Sequence, residues 1–248
     1  MESNRRSKRD PEPDGAASRS SALTLRRTIG LIALLLLLAA IALLGYGVKG
    51  YFDARSDAPQ LRARADHLIA NKLGANGLGA GQLDQLLLVE DPAFRSHNGV
   101  DFETAGAGMT TITQSLAKRV AFERFRPGLR KIRLIGYANG LERSLSKAQI
   151  LALFLDTAEM GRGPRGWMTG FYKASHAVYG RPPAALERQE FLTLVAVMIA
   201  PSKYNLRRPD KPLRERVERI ENLVLKRCQP SGVRDVWLEG CSAAGGRR

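Results

Sequence analysis

"EDPAFRSHNG", Glu90 to Gly99, is the stretch on which the reading of this chain turns. Two adjacent acids follow the apolar run "QLLLV", and an aromatic, a histidine and a glycine come within the next eight residues. A carboxylate beside a second carboxylate in partly apolar surroundings ionises less readily, so its pKa rises toward neutrality, where acid–base work is done. Taken alone, the stretch also reads as a helix-end acid pair with His97 bonding the turn. The residues downstream decide between the two.

"GAGMTTITQSLAKR" supplies hydroxyls at Thr110, Thr111 and Thr113, an amide at Gln114 and a cation at Lys118. Arg126, Arg130 and Lys131 follow. On a helix Gln114 and Lys118 share a face, four residues apart. Clustered cations with neutral donors suit phosphate or pyrophosphate. For Arg130 and Lys131 alone, a solvated basic surface is the plainer explanation.

The 248-residue chain carries a formal charge of +15, which favours acidic partners: nucleic acid, anionic lipid or a phosphorylated substrate. The run "IGLIALLLLLAAIALLGY", Ile29 to Tyr46, holds no charge and as a helix spans about 27 Å, near the thickness of a bilayer's hydrocarbon core. It is longer than a signal-peptide core and no small-x-small cleavage site follows, so an uncleaved anchor is expected over residues 29–48. Arg26 and Arg27 abut it, which orients the N-terminus to the cytoplasm and the bulk of the chain outside. Residues 1–28 read as a disordered tail. Residues 49–82 read as a helical stalk broken near Pro59, then a flexible joint with four glycines between Gly74 and Gly81.

A folded domain is expected over 83–227, mostly helical, with Ser146 as an N-cap, a core helix ending at Pro201 and a basic amphipathic helix closing it. Residues 228–248 form a C-terminal tail, in which Cys228 and Cys241 could bridge outside the cytoplasm. Gly161, Gly163 and Gly166 spell G-x-G-x-x-G, but after a helical segment and around Pro164, so they read as a tight turn rather than a dinucleotide site. His67, His97 and His176 lack metal-ligand spacing, and no metal site is expected from the residues.

The motifs taken together resemble glycosyltransferase family 51, the peptidoglycan glycosyltransferases. "EDPAFRSHNG" fits its E-D-x-x-F-x-x-H-x-G signature, and "TTITQSLAK" is similar to its second motif. "RKIRL" sits where the family has R-K-x-x-E, "LERSLSKAQILALFLDTAEMGRGPRG" resembles the next segment, and "IAPSKYN" its A-x-P-x-x-Y-N ending. The resemblance implies a lysozyme-like, mostly α fold behind a single transmembrane helix, on the outer face of a bacterial cytoplasmic membrane. It implies lipid II and nascent glycan as substrates, the membrane and cell-wall synthesis proteins as partners, and no nucleic acid.

By position, Glu90 would be the base that deprotonates the acceptor hydroxyl, which attacks the anomeric carbon with inversion as the lipid pyrophosphate departs. Lys118 and Arg126 would hold the donor's phosphates, supported by Arg130 and Lys131. Thr110 and Gln114 would line the donor site, while Asp91, Phe94 and His97 would shape the loop. A divalent cation, Mg or Mn, often assists such enzymes, but no ligand can be named here. The acid of R-K-x-x-E is Leu134 in this chain, with Asp91 and Glu123 as weak stand-ins. Met109 and Ser115 also depart from the second motif, the stretch between Glu90 and Thr110 is short, and "WMTG" reads as a small insertion. Two functions therefore stand: an active hexosyltransferase, or a catalytically degenerate, membrane-anchored protein that binds lipid II or glycan, or scaffolds the wall machinery. A lysozyme-like hydrolase fits the fold but leaves the phosphate-type cations unexplained. Crosslinking is not expected, since the chain ends where a transpeptidase would begin.

Overall fold

The structure, a computed structural model, describes residues 15–106 and 108–242, with side chains from residue 26 onward. The expected tail at residues 1–14 lies outside the described residues. Helix α1 runs Gly15–Ala70, so residues 15–28 of that tail are helical. Once the apolar run nucleates a helix, adding residues at its end is cheap. The chain divides into two units at Gly45 and Tyr46.

In the first unit the apolar side chains stand open, from Ile29 at 57% to Leu44 at 69% exposed. Its most apolar window has a mean hydropathy of 2.8 with none of it buried, and is long enough to cross a membrane.

The second unit takes in the rest of α1, and here two expectations are corrected. Pro59 does not break the helix. A proline in a helix costs about 3 kcal/mol, and the face formed by Ala54, Ala58, Leu61, Ala65 and Leu68 is buried and offsets it. Nor is 74–81 a loose joint: Ala75–Gly77 forms a short helical turn, and the Tyr172 hydroxyl donates to the Gly74 carbonyl at 2.5 Å.

The remaining helices are α2 (Gln82–Glu90), α3 (Ile112–Val120), α4 (Arg130–Ser144), α5 (Lys147–Thr157), α6 (Phe171–Tyr179), α7 (Arg188–Val197) and α8 (Lys211–Val224). Ser146 caps α5 through a capping box with Gln149. Every residue of α7 from Phe191 to Val197 is at most 7% exposed, which makes it the central helix of the core. The G-x-G-x-x-G turn is the tip of an antiparallel hairpin, β1 (Glu159–Gly163) and β2 (Gly166–Thr169), so part of the supposed "WMTG" insertion supplies the second strand.

Helices α1 and α4 cross closely because glycines face each other. A Cβ on Gly136 would stand 1.9 Å from the Gly47 carbonyl oxygen, and one on Gly140 would stand 2.6 Å from that of Tyr51. Polar pairs flank the crossing: Arg133 donates to Asp53 at 2.7 Å, and the Tyr137 hydroxyl to Asp57 at 2.7 Å.

Candidate active site

Glu90 is the last residue of α2 and Asp91 its C-cap, so the two acids point to different tasks. Asp91 is fully buried. Its carboxylate accepts from His97 Nε2 at 2.9 Å and from the Ile112 amide at 2.8 Å. The Gly99 amide donates to His97 Nδ1 at 3.0 Å, so the ring proton sits on Nε2, facing Asp91. Phe94, 2% exposed, stacks edge-on against His97, and Lys147 lies 4.5 Å over its ring. Thr111, the N-cap of α3, donates to the Gly99 carbonyl at 2.8 Å and accepts from the Gln114 amide. The loop is thereby fastened to the start of α3, and Asp91, Phe94 and His97 all serve that fastening.

Glu90 remains outside this knot and lines a cavity of about 230 Å³ with Thr110, Ser115, Met198, Arg216 and Val236. Burial is the largest influence on it and pushes its carboxyl up to about 7, with Asp91 pushing the same way and Arg216 and Arg119 opposing. Burial likewise pulls the Arg119 guanidinium down to about 10, and lowers Arg216. Arg216 is 3% exposed, and its Nε and Nη1 groups have no hydrogen-bond partner among the described residues. A buried cation left with free N–H groups is costly unless something completes it.

Thr110 links this cavity to the cations, since its hydroxyl accepts from Lys118 Nζ at 3.2 Å. Lys118 is half-buried, lies 5.4 Å over the Phe125 ring, and is held below its usual pKa by burial, then by Lys131 and Arg119. Arg126 and Arg130 occupy a second hollow of about 620 Å³, shared with Arg124, Arg133, Glu123 and Tyr46. Glu123 is exposed among these cations.

Gln114 differs from expectation. It is 1% exposed, its Oε1 has no hydrogen-bond partner among the described residues, and Ser115, the next residue, faces the cavity instead. Leu134 is 1% exposed in the core, so the position of the R-K-x-x-E acid is a packing site here. A different acid, not among the expected site residues, supports the loop: Glu142 accepts from Thr113 Oγ1 at 2.5 Å and from Lys147 Nζ at 2.8 Å, beneath the His97 loop. Arg216 is likewise absent from the expected residues, though the sequence carries a signal for it. The buried positions of α8 are Leu213, Arg216, Val217, Ile220 and Leu223, so an arginine occupies the apolar stripe. Among the described residues no three His, Cys, Asp or Glu side chains gather to hold a metal ion, and no step is assigned to one.

This is a helical, lysozyme-like domain with one raised carboxylate beside a run of cations. A sequence model of the Transglycosylase family matches residues 80–229, more than half of the chain. The chain belongs to that family, glycosyltransferase family 51. It is similar to penicillin-binding protein 1F of Bacillus subtilis, 31% identical over 142 residues, covering 52% of this chain and 19% of that one. Penicillin-binding protein 1B of Vibrio cholerae is 29% identical over 157 residues, 58% of this chain and 20% of that one. The biosynthetic peptidoglycan transglycosylase of Rhodospirillum centenum is 29% identical over 144 residues, 53% of this chain and 61% of that one. The aligned part thus spans about a fifth of the two larger relatives and under two thirds of the third.

Proposed function

We propose that this chain polymerises lipid II into glycan strands at the outer face of the cytoplasmic membrane, anchored by α1. The observation that carries the reading is Glu90: a half-buried carboxylate with a pKa of about 7, set in a cavity whose Thr110 accepts a hydrogen bond from Lys118. A carboxylate so poised takes a proton from a sugar hydroxyl near neutral pH better than an ordinary one, because its conjugate acid is weaker. The freed oxygen attacks the anomeric carbon from the face opposite the leaving group, inverting it, and the lipid pyrophosphate leaves with the bonding pair.

Lys118, with Lys131 near it, and the Arg126–Arg130 hollow neutralise that pyrophosphate, and Arg216 offers its Nε and Nη1 nitrogens to substrate oxygens inside the cavity. Thr110 orients Lys118. Exposed apolar side chains from Ile29 to Leu44, and the arginines of the Arg126–Arg130 hollow, suit an anionic lipid substrate held at a bilayer.

One observation favours the second reading, a degenerate lipid II- or glycan-binding protein: Leu134 leaves no carboxylate at the second acid's position. Polymerisation of labelled lipid II by the detergent-solubilised protein separates the two. Product from the wild type that disappears in Glu90→Gln supports the transferase. Saturable lipid II binding by both proteins, with product from neither, selects the degenerate reading.

A further inference from the structure

The segment that follows α8 is not a free tail. Cys228 and Cys241 are joined, and the strap between them folds around Asp235, whose carboxylate accepts the amides of Ser231, Glu239 and Gly240 at 2.7 to 3.0 Å. One side of the strap is tied to α8: Asn222 Nδ2 donates to the Cys241 carbonyl at 3.2 Å and Arg219 to that of Trp237 at 3.3 Å. Its other side is tied to the loop ahead of Thr110. The amides of Gly106 and Gly108 donate to the carbonyls of Gly232 and Val233 at 2.9 and 2.8 Å.

The sequence of that loop is fitted to the strap. A Cβ on Gly106 would stand 2.8 Å from Pro230, and one on Gly108 would stand 2.5 Å from Val236; both glycines have positive φ, at +79° and +69°. Val236 itself forms wall of the cavity that holds Glu90 and Arg216. The strap therefore joins the two elements that flank Glu90, the loop of Thr110 and the helix of Arg216. Beyond Cys228 and Gln229 it lies outside the family-matched region, which ends at residue 229.

We infer that the strap closed by Cys228 and Cys241 is a positioning element of the Glu90 cavity, and that its bridge makes the cavity's closure depend on an oxidising compartment. The consequence for rate rests on the polymerase reading above; the closure does not. A dithiol reductant opens the device by supplying two electrons and two protons. The Sγ–Sγ bond breaks, two thiols form, and the reductant closes its own disulfide. A 13-residue separation is then no longer constrained, and Val236 is free to leave the cavity wall. More water then reaches this half-buried carboxylate, which also faces Arg216 from α8, Arg119 from α3 and the adjacent Asp91.

The test uses the full chain in detergent, oxidised and reduced. Amide exchange at Gly106 and Gly108 is expected to quicken at least tenfold on reduction, and Glu90, titrated by carboxyl NMR, is expected to fall from about 7 toward an ordinary carboxylate. Glycan synthesis is expected to drop about tenfold and return on reoxidation, while Cys228→Ser/Cys241→Ser is locked at the lower rate and ignores reductant. Val236→Ser keeps the bridge and is expected to lower the pH of the acid limb without loss of helix content, so the outcome does not depend on the double variant folding. Unchanged exchange and an unchanged Glu90 titration on reduction overturn the inference, as does a Val236→Ser variant with the wild-type limb. An oxidised protein that makes no glycan overturns the polymerase reading instead, and the exchange and titration still decide the strap.

Discussion

Glu90 and Asp91 are neighbours with opposite fates. Asp91 is fully satisfied by His97 and the Ile112 amide, so Asp91→Asn, which weakens both bonds inside the core, is expected to cost about 2–4 kcal/mol of stability in a denaturant titration. Glu90 carries the opposite sign. Its folded pKa is raised above the unfolded value, so between about 4.5 and about 7 the folded protein binds more protons, and stability falls as pH rises through that window. Glu90→Gln removes the penalty. It is expected to be more stable than wild type above pH 7, by up to roughly 3 kcal/mol, with the gain fading toward pH 4.5 while activity is lost at every pH. Arg216 opposes the raised pKa, so Arg216→Met is expected to slow glycan synthesis about ten- to a hundredfold and to move the acid limb of the rate profile upward. A limb that moves down or stays would remove Arg216 from the electrostatics of the base.

Helix positions were legible wherever the pattern of apolar residues was local, as in α5 with its Ser146 cap and α7 with its buried run. What failed were features set by partners distant in sequence. Pro59 looked like a break because a proline's cost is local, whereas the burial that offsets it comes from the rest of the second unit. The glycines at 74–81 looked loose for the same reason. Gly136 and Gly140 carry no local signal of their role, yet they let α4 lie against α1. Gly136→Ala is expected to cost about 1–3 kcal/mol, read as a lower denaturation midpoint, because its Cβ meets the Gly47 carbonyl and the helices must part. The candidate site divides likewise: Glu90, Lys118 and the loop residues lie close together in the motifs, whereas Arg216 and Val236 reach the cavity from a helix and a strap far downstream in the chain.

The second unit holds a raised carboxylate and a group of cations, without the second acid that the motif pattern anticipates. Restoring that acid is not expected to help. Leu134→Glu puts a carboxylate into the core and should destabilise by at least about 3 kcal/mol with no gain in rate, checked by thermal unfolding beside the lipid II assay. The measurement to make first is the pH dependence of glycan synthesis from labelled lipid II by wild type and Glu90→Gln. A wild-type rate that climbs through an apparent pKa near 7, with no product from Glu90→Gln at any pH, is the expected result. Equal product from the two proteins, or none from the wild type across the range, contradicts Glu90 as the base of an active transferase.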